Sequence, residues 1–495
     1  MTLDRIRTRA GDFHERAARE WYEVVRDPAR RSAIGARHAE AGDLFSLSRI
    51  SEVQRAVSES TGLEERRTRF LLAFLARGRA RCAAAVEIDR RVDFESTGAV
   101  ELDGERIAPI ALPGRLGHGS DPVQRHRLEG AWLDALQEEE PWLQDLLQRQ
   151  RDVYDELGYG SLLTTCELLA ETDLRALARD GARILEETDG ELRELLDWFL
   201  PRAAGVARHE ATAGDRFALW WAAPAPDLFG EGSALRTSIQ LITKAGLDPL
   251  AGGRVRLEKR PQLRRTAGAV ACVLDVPGSV VILHSGGPGL PTHHAELSAL
   301  GQALHAASTD PDLDPEFRWM GDEAVPIAWG ALFGGLVFET AFVRDRYGAG
   351  SARLAEYRRL AGLLLLLRLR RRVGILQASL AWCEGTGMEG LLDQYPALLV
   401  AATGLRHDVR QAPWDAGIPS DLASHLRGEL LAAMLRDYLR ERFDEDWYRN
   451  PRAGEMVIDL MRDGRRYTAS ELAIQLASHP LSGRAATRRI REILA

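Results

Sequence analysis

Lysine is almost absent from this chain. Lys244 and Lys259 are the only two, and arginine carries nearly all the positive charge. A high-GC coding bias accounts for that usage. Arginine-rich phosphate recognition would need a clustered patch, whereas Asp and Glu are interleaved throughout. With a formal net charge of −8, non-specific nucleic-acid binding is not favoured. Cysteine is scarce too. Cys82, Cys166, Cys272 and Cys383 are far apart and form no CxxC pair, which argues against a disulfide framework and against a thiolate zinc site. No GxxxxGK(S/T) phosphate loop occurs, no GxGxxG opens a helix after a strand, and no GxSxG nucleophile elbow is present. Without the elbow, His284-Ser285-Gly286-Gly287-Pro288-Gly289, similar to an oxyanion segment of serine hydrolases, reads as a tight turn between strand and helix. Long apolar runs are missing as well. The richest, Leu360 to Leu367, is far shorter than the ~20 residues a membrane span needs. Arg368, Arg370, Arg371 and Arg372 follow it, so it reads as a buried helix with a basic exit, with a basic amphipathic membrane helix as the alternative. Met1 to Arg5 carries acid and base together and no apolar stretch, so no secretion signal and a cytoplasmic location are expected.

What is present is ordinary in amount and informative in order. The 495 residues are 45% apolar and 28% charged, enough for a large soluble core in two or three lobes. Residues 1 to about 95 have helical periodicity, seen in Phe70, Leu71, Phe74 and Leu75, and Ser51-Glu52-Val53-Gln54 has the form of a capping box. Alternation over 99–102 and 105–108 around Asp103-Gly104 predicts a two-residue β-hairpin. A Gly- and Pro-rich loop is expected from Pro113 to Pro122, then helices from about Val123 to Arg208, with Glu138-Glu139-Glu140-Pro141 as a loop and helix start. Phe217 to Trp221 is open between helix and strand, and Ser233 to Ala245 reads as a helix ending at Gly246. Short β-branched runs at Val255 to Leu257, Ala267 to Val276 and Val280 to His284 predict strands. After Gly286 to Gly289 a helix starts near Thr292, and the rest is almost entirely helical.

That helix carries the most informative segment. Ser298-Ala299-Leu300-Gly301-Gln302-Ala303-Leu304-His305 matches an HExxHALH pattern with its chemistry replaced. An HExxH helix works because residues four apart share a face, so two imidazoles grip one zinc and the intervening Glu acts as general base. Here the first His is Ser298, the Glu is Ala299 and the second His is Gln302. The strands before it, the loop Ser308 to Pro311, and Gly321-Asp322-Glu323-Ala324-Val325-Pro326-Ile327-Ala328 after it complete the order.

This order resembles the thimet oligopeptidase and oligopeptidase F family of zinc peptidases, in particular a bacterial branch with a HEAGHALH segment. In that branch a G-D-N-A-V-T-E-G segment supplies the third zinc ligand, and its Glu falls here on Ile327. Tyr438 to Phe443, Trp447 and Pro451 to Glu455 resemble the branch's C-terminal segment. The family's transition-state Tyr or His lies before the preceding helix; in Ser420 to His425, His425 is the candidate left. The resemblance implies a mainly α, two-lobed helical fold around a channel, with a small β-sheet and one N-terminal hairpin. It divides the chain into a helical lobe (1–210) and a peptidase-like lobe (211–495). It implies an edge strand that pairs with peptide, placed at Gly268 to Val273, and a groove including Gly268, Ala269, Val270, His294 and His425.

Ser298, Ala299, Gln302 and Ile327 would then be vestigial zinc-site positions, with no metal, no cofactor and no catalytic residue among them. The function expected is a catalytically inactive homologue with a peptide-binding, partner-binding or structural role. Two alternatives stand beside it. One is an active metallopeptidase with a shifted site drawn from His293, His294, Glu296, His305 and Glu323. The other is an interaction protein whose channel has closed, with Trp319 or Trp329 as candidate fillers. In the bland reading His293 and His294 occupy an exposed first helical turn, His305 packs inside the helix pair, and Glu323 sits at a helix start.

Overall fold

Apolar residues recurring at helical spacing open the N-terminal region. Ile6, Ala10 and Phe13 are buried on one stripe of α1 (Leu3–Arg26). It is followed by α2 (Ile34–Glu40), α3 (Leu47–Glu59), α4 (Gly62–Ala83) and α5 (Ala85–Thr97). The computed structural model describes residues 2–119, 121–230, 234–260, 262–263, 268–348, 350–384 and 387–495. The expected capping box at Ser51 is not one: α3 already runs from Leu47, with Ser46 as its N-cap. Ile50 and Val53 are buried in α3, so their packing extends the helix a turn upstream of Ser51.

The hairpin is as expected. β1 (Val100–Leu102) pairs antiparallel with β2 (Glu105–Ile107), Leu102 opposite Glu105. Asp103 and Gly104 both have positive φ, at 54° and 81°, as a two-residue hairpin turn of the twisted kind requires.

The Pro113–Pro122 stretch is not a loop throughout. It contains most of α6 (Leu112–His118), which begins with proline in its first turn and buries Leu112 and Leu116, four residues apart. Glu138 to Pro141 is likewise no boundary. It lies inside α7 (Pro122–Glu156), where Pro141 faces solvent and burial continues through Trp142, Leu143, Leu146 and Leu147. Interior proline costs about 3 kcal/mol, and burying four large side chains at about 1.5–3 kcal/mol each outweighs it.

Next come α8 (Leu162–Ala170), α9 (Leu174–Glu187), α10 (Asp189–Ala203), α11 (Arg216–Leu219), α12 (Ala225–Leu228) and α13 (Ala234–Thr243). The segment left open at Phe217 is thus helical through α11, and Ser233 lies outside the described residues.

The second sheet has the order β3-β5-β4, built from β3 (Val255–Lys259), β4 (Ala269–Asp275) and β5 (Ser279–His284). Central β5 runs parallel to β3 and antiparallel to β4. Ala267, expected to start β4, lies outside the described residues. One face of β4, with Val270, Cys272 and Leu274, packs with Trp21, Tyr22 and Val25 of α1. Its other face, with Ala269, Ala271 and Val273, joins the main core.

The remaining helices are α14 (Leu290–Ser308), α15 (Ala324–Gly334), α16 (Thr340–Tyr347), α17 (Ser351–Glu384), α18 (Met388–Thr403), α19 (Ala412–Asp415), α20 (Pro419–Phe443), α21 (Pro451–Arg462), α22 (Ala469–Ala477) and α23 (Arg484–Leu494). The arginines after Leu367 sit mid-helix in α17 and are not its exit. Arg370, almost fully buried, donates to the carbonyls of Ala401, Ala402 and Leu185, at the C-terminal turns of α18 and α9. A cation there satisfies carbonyls that have no partner within their own helices. Among the described residues, no single helix is long and apolar enough to cross a membrane.

Candidate functional site

Ser298, Ala299, Gln302 and Ile327 lie where α14, α15 and α20 pack together, and glycine sets how closely they pack. A β-carbon on Gly301 of α14 would collide with the Trp329 carbonyl oxygen of α15. One on Gly334 would collide with Ser298 Oγ, and one on Gly330 would lie 2.9 Å from Gln302 Cγ. Ile327 faces the other neighbour: a β-carbon on Gly428 of α20 would lie 2.5 Å from Ile327 Cγ2. Within two turns α15 thus touches α14 through Gly330 and Gly334 and α20 through Ile327. Ala299 is buried, and Ser298 Oγ is buried with no hydrogen-bond partner among the described residues.

These residues do not fit a zinc ion. Zinc takes imidazole, thiolate or carboxylate ligands. The four positions offer a hydroxyl, a methyl, a carboxamide and a hydrocarbon. Among the described residues no group of three or more His, Cys, Asp and Glu side chains is placed to hold a metal ion.

The flanking histidines and carboxylates face apart. His293 is buried, not exposed as its place in the first turns suggested. Its Nδ1 lies 2.6 Å from Tyr347 Oη, and Phe229 packs against its ring. The apolar surface of Phe229 and Tyr347 closes over that side of the helix. Burial, then the charge of Arg346, pushes the His293 ring down to about 4. Glu296 turns toward the sheet, 3.3 Å from His284 Nδ1. His305 is buried, with Nε2 2.9 Å from the Gly464 carbonyl, and burial pushes its ring down to about 4. Glu323 is the N-cap residue of α15 and pairs with Arg465 at 2.9 Å.

His294 belongs to a charged cluster that the sequence did not disclose. Arg368 of α17 contacts both His294 Nε2 and Glu429 of α20, and Arg372 pairs with the same Glu429 at 3.3 Å. Burial would raise the Glu429 carboxyl, but the two guanidiniums outweigh it and bring it down to about 2. Burial and Arg368 hold His294 well below its usual range, so a neutral ring accepts from Arg368. Trp220 and Phe338 flank that ring at 5.7 and 5.6 Å. The available signal was four arginines within five residues, which reads as surface charge until a carboxylate some 60 residues away is brought beside them.

His425 lies within the first turns of α20 and not before the helix. Its side chain reaches water, yet burial is the largest influence on the ring, which is pushed down to about 4. Asp421, one turn earlier, is also water-exposed while burial raises its carboxyl. Trp319 and Trp329 lie elsewhere: Trp319 stacks on His14 at 4.0 Å, and Trp329 is buried against α14.

At the proposed groove, Gly268 has φ 78° and accepts the Ser285 N–H at 2.7 Å, and Ala269 and Val270 begin β4. β4 stands at the edge of its sheet, and among the described residues no strand pairs with its outer side.

No protein-family model matches the chain, and no curated protein matches it either. Solved structures do. A PZ peptidase A with a bound inhibitor superposes with a TM-score of 0.71 at 12% identity, covering 98% of this chain and 90% of that one. A candidate oligoendopeptidase F from Bacillus anthracis gives 0.63 at 12%, covering 93% and 82%. A carboxypeptidase from Pyrococcus furiosus gives 0.59 at 14%, covering 100% of both chains. The fold is therefore the mainly helical fold that these zinc-peptidase structures share, as the resemblance implied.

Proposed function

We propose that this chain is a zinc-oligopeptidase homologue without peptidase chemistry, and that it binds an extended peptide or partner segment along β4. The observation that carries this is the glycine-closed seam. Ser298 rests on Gly334, Gln302 on Gly330 and Ile327 on Gly428, close helix packing that supports reading these positions as structural and not metal-binding. The outer edge of β4 supports the binding half, because an unpaired strand edge can take another strand by backbone hydrogen bonds. A site shifted to His293, His294 and Glu296 would need these three to turn toward one point, and they are engaged by Tyr347, Arg368 and His284. The test is metal analysis of purified protein together with cleavage of a mixed peptide library. The expected result is substoichiometric zinc and no cleavage. One zinc per chain, with cleavage abolished in His294→Ala, would overturn the proposal.

A further inference from the structure

Away from the α14–α15 seam, a cavity of about 310 Å³ opens beneath α6. This is at the small end of ligand pockets, which run from roughly 300 to 1,000 Å³. Its walls come from distant parts of the chain: Ile110, Leu112 and Leu116, Trp132 of α7, Phe217 of α11 and Trp414 of α19. Trp132 and Trp414 meet edge to face at 5.5 Å, which fixes both indoles as a rigid apolar surface.

The polar part of the lining is not balanced. Asp415 is engaged by Arg371 at 2.7 Å and by the Tyr395 hydroxyl at 2.6 Å. Glu129 accepts the Gly214 N–H at 2.8 Å and the Thr212 hydroxyl. Glu95 lies by Arg91, which feels its charge. Arg216 is different. Its guanidinium lies over the Phe217 ring at 4.1 Å and donates to the Ala213 carbonyl, but among the described residues it has no carboxylate partner at ion-pair distance. Arg371, in the same lining, keeps a buried Nε with no hydrogen-bond partner among the described residues. Burial, and then the neighbouring Arg371, pushes Arg216 down to about 10, against the more distant pull of Asp415 and Glu129 in the same lining. An anion seated beside it would reverse that trend, since an opposite charge favours the charged form.

From this arrangement we infer that the cavity is a binding site for a small carboxylate with an apolar, aromatic body. The carboxylate sits on the Arg216 guanidinium, which matches its two oxygens in plane. The body lies against Trp132, Trp414 and Leu116. The site is separate from the strand edge of β4 and does not depend on the loss of peptidase chemistry.

The probe is 3-phenylpropionate, titrated calorimetrically into the full chain beside its amide and the corresponding amine. One-site saturable binding of the carboxylate is expected, with the amide and the amine at least tenfold weaker. Arg216→Gln should lose the preference for the carboxylate. Ile110→Trp, which fills the cavity from a half-buried position without touching any charge, should abolish binding of all three. Should Arg216→Gln fail to fold, the ligand series and Ile110→Trp still decide the matter. The inference is overturned by no binding at millimolar carboxylate, by equal binding of the three probes, or by binding that survives Ile110→Trp.

Discussion

Along the α14–α15 seam, glycines let two helices touch; beneath α6, proline, leucine and tryptophan hold the elements apart and leave space. Both regions share the fold, and their packing is opposite in kind. At the seam each residue is confined by backbone, so a side chain there is constrained first by its volume. Around the cavity the confining atoms are side chains drawn from six elements, so chemistry can vary while the frame stays put. The difference separates what keeps this protein folded from what it has to offer a ligand.

The largest expected effect is at the seam. Gly301→Ala puts a methyl into the Trp329 carbonyl, and neither helix backbone can yield alone. A loss of about 3 kcal/mol or more, or failure to fold, is expected in urea unfolding, at the upper end of overpacking costs. A loss below about 1 kcal/mol would mean that the helices slide easily, and the contrast with the cavity would fail.

Glu429→Gln comes next. It strips Arg368 and Arg372 of their shared counter-charge, and breaking a buried pair from one side typically costs about 3–5 kcal/mol. Glu429 retains some exposure, so about 2–3 kcal/mol is the expectation by chemical denaturation. The triple change Arg368→Met, Arg372→Met and Glu429→Leu should recover most of the loss, because no unpaired charge then remains.

The pH dependence follows from His305. Its ring is pushed from the ordinary 6.5 down to about 4, so between these values the unfolded chain binds the proton and the folded chain does not. The stability it contributes is complete above pH 6.5 and is lost as the pH falls toward 4, roughly 3 kcal/mol over the window. Thermal melts between pH 7 and 4 should show this slope, and His305→Gln should flatten it. An unchanged slope would assign the acid sensitivity to His14, His38, His293, His294, His407 and His425, which are shifted the same way.

The smallest effect belongs to the cavity. Ile110→Trp fills existing space from a half-buried position and should move stability by less than about 1 kcal/mol. A loss several times larger would show that the cavity walls are as tightly fixed as the seam.

The elements were legible where local chemistry alone decides them. Asp103-Gly104 requires positive φ at two successive residues, and only a hairpin uses that pair so economically. The strands around Val280 and the helix after Gly289 declared themselves by period and by breaker. Prolines misled at Pro113, where a first-turn proline suits a helix, and at Pro141, where burial of the following side chains outweighs the cost of an interior proline. Ser298, Ala299 and Gln302 could be singled out because they lie within five residues of one helix, and Ile327, on the next helix, only through the order of segments that follows. The Arg368–Glu429–His294 cluster and the cavity around Arg216 could not, because each is assembled from residues tens to hundreds of positions apart. His293 was misread for a related reason: its burial is supplied by Phe229 and Tyr347, which no pattern within α14 announces.

The contact between Ser298 and Gly334 also acts as a ratchet. An imidazole at that position would need room, and the room is taken up by the backbone of α15. A single change back to histidine would arrive in a space sized for serine, with no second imidazole at Gln302 and no carboxylate at Ile327 to meet it. Installing a metal site here therefore needs the helices to part before any one ligand is useful, so no single substitution reaches it.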